Sequence, residues 1–144
     1  MAGMMRNINV LSRCAAINRK QSSKEKLDGV YHSYIIAIHY HPGLSQDRLS
    51  RHICFSKSSV TRHLTFLEEN GYITRCAGKD KRELLVFPTE KLEKAFEEVS
   101  KISKNWCNAV TQELSEEEKE LATRILEKMA GKARELVFGV EVEE

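Results

Sequence analysis

The chain has 144 residues, a length that suits one domain, or one domain with helical extensions, better than two. Its 41% hydrophobic and 31% charged residues describe a real core under a wet surface, and the longest apolar stretch, around residues 34–38, is far too short to cross a bilayer. Net charge is only +2, but residues 45–82 hold eight Lys/Arg against four Asp/Glu while residues 115–144 hold nine Glu against five Lys/Arg, so a polyanion would be met mid-chain.

Ile8, Leu11 and Ala15, with Val10, Cys14 and Ile17 beside them, predict a first helix over residues 6–20. The polar run 21–26 ends it. Asp28 is placed to cap a second helix from Gly29 to about His41, with Tyr31, Tyr34, Ile35 and Ile38 at helical spacing. His41-Pro42-Gly43 stops that helix, because proline disfavours helical geometry in the residue before it and glycine turns readily. Ser45 then caps a short helix over 46–54. After a tight break at Phe55, Ser56 caps another over 57–70, with Gly71 at the left-handed C-terminal position. Two short capped helices across a turn describe a helix-turn-helix.

After Gly71 the apolar period falls from about 3.6 to about 2. Residues 72–75 and 83–87 read as strands around a basic, Gly-containing tip, Cys76-Ala77-Gly78-Lys79-Asp80-Lys81-Arg82. Thr89 caps a long helix to about Glu113 with Leu92, Phe96, Val99, Ile102, Trp106 and Val110 near heptad spacing. Ser115-Glu116-Glu117-Glu118 matches a capping box for a last helix carrying Leu121, Ile125, Met129 and Leu136, and residues 137–144 are expected to fray. The fold class is therefore mainly α with a small β-hairpin wing.

On a helical wheel of residues 57–70, Val60, Leu64 and Leu67 share the core side, while Ser58, Arg62, Thr65 and Glu69 face away with Ser59 and Thr61 on the shoulders. Small hydroxyl residues and one Arg at a helix N-terminus suit entry into a DNA major groove; ordinary solvent-facing residues would look the same on the wheel. Lys79, Lys81 and Arg82 at the extended tip can reach an adjacent minor groove or its phosphates. Asp80 among them is expected to orient Arg82 by an ion pair. The candidate DNA-binding set is Ser56, Lys57, Ser58, Ser59, Thr61, Arg62, Thr65, Lys79, Lys81 and Arg82.

Leu44-Ser45-Gln46-Asp47-Arg48-Leu49, Ser56-Lys57-Ser58-Ser59-Val60-Thr61-Arg62 and Leu67-Glu68-Glu69-Asn70-Gly71-Tyr72-Ile73 resemble the DNA-binding core of the MarR (multiple-antibiotic-resistance regulator) family. Asp80-Lys81-Arg82 followed by Leu85-Val86-Phe87-Pro88-Thr89-Glu90-Lys91 resembles that family's wing. Phe66 departs from the usual polar or basic residue, and Leu92 from a common Gly. The resemblance implies a homodimeric, cytoplasmic transcription regulator, most simply a repressor on a pseudo-palindromic duplex site. It also implies an organisation into an N-terminal dimerisation helix (1–27), a winged helix-turn-helix domain (28–88) and a long helix with a C-terminal dimerisation helix (89–144). Terminal helices with apolar stripes and no core of their own also need a partner on physical grounds. A small aromatic or amphipathic effector is implied as well, with Tyr31, His32, Tyr34 and His39 as candidate pocket residues.

Other constellations point elsewhere. Arg6, Asn7, Asn9, Ser12 and Arg13 interrupt any signal-like run at the N-terminus. Cys14, Cys54, Cys76 and Cys107 form no CxxC pair and read as reduced thiols. Cys14 is similar in place to the reactive thiol of peroxide-sensing family members, which gives a redox-responsive regulator as an alternative. His39-x-His41 and His52-x-Cys54 lack the usual zinc spacings, so no metal is expected. No nucleophile–base pair or phosphate-cradling loop points to an enzyme, and no cofactor is expected. A winged helix that binds protein or RNA is the remaining alternative, since fold alone does not fix function.

Overall fold

A computed structural model describes residues 2–23, 27 and 29–139. In chain order the elements are α1 (Ala2–Ser22), α2 (Val30–Tyr40), β1 (Leu44–Ser45), α3 (Gln46–Ile53), α4 (Lys57–Glu69), β2 (Ile73–Ala77), β3 (Leu84–Pro88), α5 (Glu90–Val110) and α6 (Glu116–Phe138). The chain divides into two compact units, residues 1–106 and residues 107–144.

The first unit is built around one core. Tyr34, Ile35 and Ile38 of α2, Leu49 of α3, Val60, Leu64 and Leu67 of α4, Ile73 and Val86 of the sheet, and Leu92 and Val99 of α5 are all buried there. Spacings of three and four residues put each set on one side of its helix. Each fully buried Leu or Ile contributes about 1.5–3 kcal/mol of transfer free energy. Val60, Leu64 and Leu67 face inward as their spacing predicts, which leaves the opposite side of α4 to solvent.

Helix ends follow the local chemistry of their caps. Ser45 Oγ accepts the Arg48 N–H at 3.2 Å and Ser56 Oγ accepts the Ser59 N–H at 3.2 Å. Behind α4, Gly71 at φ +79° closes a Schellman motif, in which Tyr72 N–H reaches the Leu67 carbonyl and Gly71 N–H the Glu68 carbonyl. Thr89 Oγ1 donates to the Gly71 carbonyl at 2.6 Å and Lys91 Nζ to the Asn70 carbonyl at 2.8 Å, so the start of α5 is tied to that corner. The corner between α3 and α4 is less conventional. Cys54 caps α3 in the left-handed region (φ 60°, ψ 43°), the one non-Gly residue among those described with positive φ. Ser50 Oγ donates to the Phe55 carbonyl at 2.7 Å and steadies the turn.

The sheet has three antiparallel strands in the order β1-β3-β2. Strand β1, only two residues long, lies outside the sequence expectation: its pairs Leu44–Val86 and Ser45–Leu85 join the start of α3 to the wing. A two-residue strand has no period to read. Helix α1 runs longer than its expected 6–20, and none of its residues is buried; Ile8 and Ala15 are half-buried. The expected cap Asp28 lies outside the described residues. Val137 and Phe138 remain helical where fraying was expected, and residues 140–144 lie outside the description.

In the second unit, Ser115 and Glu118 form the expected capping box: Ser115 Oγ accepts the Glu118 N–H at 3.2 Å and Glu118 Oε2 accepts the Ser115 N–H at 2.8 Å. Leu121, Ile125, Leu126, Leu136 and Val137 of α6 are exposed.

Candidate nucleic-acid interface

Helix α4 presents Lys57, Ser58, Thr61 and Arg62 to solvent, with Ser59 and Thr65 half-exposed. Ser56 is a capping residue: besides accepting from Ser59 N–H, its hydroxyl donates to Ser59 Oγ at 2.9 Å. That occupation leaves Ser58, Thr61, Arg62 and Thr65 as the side chains on the outer face. Lys57 Nζ lies 3.5 Å from Asp47, an exposed pair of little energetic weight. The free N–H groups of the first turn and the helix dipole favour a phosphate there.

The wing tip spans Gly78–Glu83. Gly78 N–H donates to the Glu83 carbonyl at 2.8 Å, and Glu83 N–H to the Asp80 carbonyl at 2.9 Å. Lys79, Lys81 and Arg82 are all exposed around this turn. Asp80 acts differently from the expected ion pair. Its Oδ1 accepts the backbone N–H of Arg82 at 3.0 Å, an Asx turn, and no Asp80–Arg82 ion pair forms among the described residues. A short carboxylate reaches an amide two residues on more easily than a mobile guanidinium, so Asp80 shapes the tip's backbone.

Two residues outside the candidate DNA-binding set organise the outer face of α4. Arg75 of β2 donates to both Glu68 oxygens (Nε at 3.3 Å, Nη2 at 3.1 Å), to Gln46 Oε1 at 3.3 Å and to Thr65 Oγ1 at 3.4 Å. Gln46 Nε2 donates in turn to Thr61 Oγ1 at 2.9 Å. Arg75's hydrogen bond to Glu68 holds that carboxyl below the ordinary carboxylate range, against a smaller opposing effect of burial. Partners 29 residues apart leave no local signature in a sequence.

The candidate effector residues are engaged in packing. Tyr34 is fully buried, its hydroxyl 2.8 Å from His63 Nδ1, and desolvation pushes that phenol far above its ordinary value. Tyr31 stacks on Phe66 with centroids 4.6 Å apart, which accounts for the unusual aromatic at position 66. His32 is buried in α2, and His39 stacks on Phe96 of α5 while pairing with Glu93. A cleft of about 440 Å³ beside them is lined by other residues, among them Ala16, Ile17, Arg19 and Lys20 of α1, Val30 and Ser33 of α2, and Phe55. Arg19, one of these residues, has its Nε buried without a hydrogen-bond partner. The paired histidine motifs come apart in space: His39 faces α5, while His41 meets His52 edge to face at 5.0 Å. Among the described residues no group of three or more His, Cys, Asp or Glu is placed to hold a metal ion. All four cysteines are exposed, Cys14 included, and no described helix is long and apolar enough to cross a membrane.

The sequence model of the MarR family matches residues 32–84, from α2 to the start of β3. The HTH-type transcriptional regulator BilQ of Clostridium symbiosum is 33% identical over 103 residues, 71% of this chain and 71% of that protein. The chain belongs to the MarR family. A second relative of this MarR-family chain, the uncharacterized HTH-type transcriptional regulator YwoH of Bacillus subtilis, is 39% identical over 57 residues, which span 40% of the chain and 42% of that protein. The fold agrees across its length with a MarR family transcriptional regulator from Listeria monocytogenes solved in complex with a 26mer DNA (TM-score 0.81, 21% identity, 97% of each chain covered). As a MarR-family protein the chain is a transcription regulator and not an enzyme.

Proposed function

We propose that this regulator is a homodimer that reads a pseudo-palindromic operator with α4 in the major groove and the 79–82 tip in the adjacent minor groove, and that it represses transcription until a small effector binds. The observation that carries the reading is the pairing of an exposed Arg62 on α4 with an exposed Lys79, Lys81 and Arg82 on a wing pinned to the same unit. Arg62 reads guanine bidentately, and the wing supplies phosphate or minor-groove contacts. The Listeria relative's complex with DNA supports the same use of the shared fold. Met4, Met5, Val10, Leu11 and Ile17 on α1, and Leu121, Ile125 and Leu126 on α6, are exposed apolar residues that a second copy covers.

The effector reading moves to the cleft between α1 and α2. Its apolar wall, with the cationic Arg19 and Lys20 in the lining, favours an amphipathic organic anion. Phe55 forms part of that wall and also meets His63 of α4 edge to face at 5.7 Å, so an occupant bears directly on the recognition helix. A coupling of about 1–3 kcal/mol suffices for a useful response.

The test is selection of binding sites from a random duplex pool, followed by anisotropy with wild type and Arg62→Ala. An enriched palindrome, with Arg62→Ala losing about 1–3 kcal/mol of discrimination, supports the reading. Weak, salt-sensitive binding indifferent to Arg62 would reject it in favour of a protein partner.

A further inference from the structure

A threonine hydroxyl on a recognition helix can donate or accept, and which it does decides the base edges it tolerates. In this chain the neighbours of Thr61 and Thr65 make that choice. Arg75 has only donors, so the Gln46 amide must turn its oxygen toward Nη1 (3.3 Å) and its nitrogen toward Thr61 Oγ1 (2.9 Å). Thr61 therefore accepts from Gln46, and its own proton goes to the Lys57 carbonyl at 3.0 Å. Thr65 repeats the pattern, accepting from Arg75 Nη2 at 3.4 Å and donating to the Thr61 carbonyl at 2.8 Å. Glu68 anchors the guanidinium from the far side, and the Arg75 side chain is only 15% exposed. Each hydroxyl is left with one lone pair and no proton to give. Turning the Thr61 proton toward an outside acceptor would break its bond to the Lys57 carbonyl, and swinging the side chain to another rotamer would break the Gln46 bond as well.

We propose that Gln46 and Arg75 are positioning residues for sequence specificity, holding Thr61 and Thr65 as readers that offer an acceptor and a methyl group but no donor. Such readers take the exocyclic amino group of adenine or cytosine, or pack on the thymine methyl. They disfavour guanine, whose major-groove edge only accepts. Arg62, a pure donor beside them, has the opposite demand. Each half-site then carries a guanine next to positions from which guanine is excluded on the contacted strand. The inference rests on the DNA-binding reading above and adds the chemistry of its base preference.

The experiment is a comparison of selected binding profiles from random duplex DNA for the full-length wild type, Thr61→Val, Gln46→Leu and Arg75→Lys, with thermal melts confirming that each variant is folded. In wild type, guanine is depleted at the positions whose preference Thr61→Val alters. Gln46→Leu and Arg75→Lys raise guanine tolerance at those same positions by about fivefold, while the guanine read by Arg62 is retained. Equal loss of affinity for every sequence in the two relay variants would overturn the inference and leave them a purely structural role. Guanine enriched at the Thr61 position in wild type would overturn it as well. A wild type that selects no site would overturn this inference and the DNA-binding reading together.

Discussion

Replacing Cys54 by glycine is expected to stabilise the protein. At φ 60° and ψ 43° the backbone of Cys54 sits where an L-residue's Cβ crowds the following carbonyl, at a cost of about 1–2 kcal/mol. Glycine removes that cost but gives up about 0.5–1 kcal/mol through its freer unfolded chain. The Cys54 thiol donates only a long contact to the exposed Arg51 carbonyl at 3.4 Å, a weak bond whose loss hardly changes the balance. The net gain is about 0.5–1 kcal/mol. Cys54→Val goes the other way by at least about 1 kcal/mol, because a β-branched residue is poorly accommodated in the left-handed region. Thermal melts at one protein concentration should therefore rank Gly above Cys above Val, with a spread of about 6 °C for a chain of this size. A glycine variant that melts below wild type, with valine unchanged, would refute the backbone argument and give the corner's stability to the thiol.

Gly71→Ala should cost about 1 kcal/mol from its dihedral alone, because a Cβ there meets only Lys91 Cδ at 4.0 Å. Gly43→Ala should cost more in the same melts, since its Cβ also meets the Phe87 ring at 3.1 Å. Tyr34→Phe should lower the urea midpoint by the equivalent of about 1 kcal/mol, the worth of the hydrogen bond to His63, with an unchanged m-value. Glu68 contributes stability that is complete above the ordinary carboxylate value of 4.5 and is lost as pH falls through its lower folded-state value. Acid titration of unfolding should accordingly show a shallower loss below that pH in Glu68→Gln than in wild type.

Much of the winged helix was legible because its signals are local. Ser45, Ser56 and Ser115 cap helices a few residues away, Gly71 ends α4, and Val60, Leu64 and Leu67 repeat at helical spacing. The candidate DNA-facing residues were legible as types, but their hydrogen-bonding roles were not. Thr61 gives its proton to the Lys57 carbonyl and accepts one from Gln46, whose amide is oriented in turn by Arg75, so its role is set across three elements. For Asp80 the sequence points to the adjacent Arg82 side chain, whereas the structure gives its carboxylate the Arg82 backbone amide. Tyr31 and Tyr34 stand as pocket candidates through the family resemblance, not through any local pattern. Their actual environment includes Phe55, His63 and Phe66, aromatic neighbours that only the packing of α2 against α4 supplies.

Strand β3 lies in the middle of its sheet, bonded on one side to β2 and on the other to the two residues that precede α3. A hairpin hung from a single edge could swing; this one is held on both sides of β3. Its tilt is inherited from the start of α3, so changing the angle of the wing means breaking the Leu44–Val86 and Ser45–Leu85 pairs. Insertions in Gly78–Glu83 would therefore alter how far the tip extends while these pairs still hold the base of the wing. Reach and aim are set in different places in this protein, the first in the tip and the second at its base.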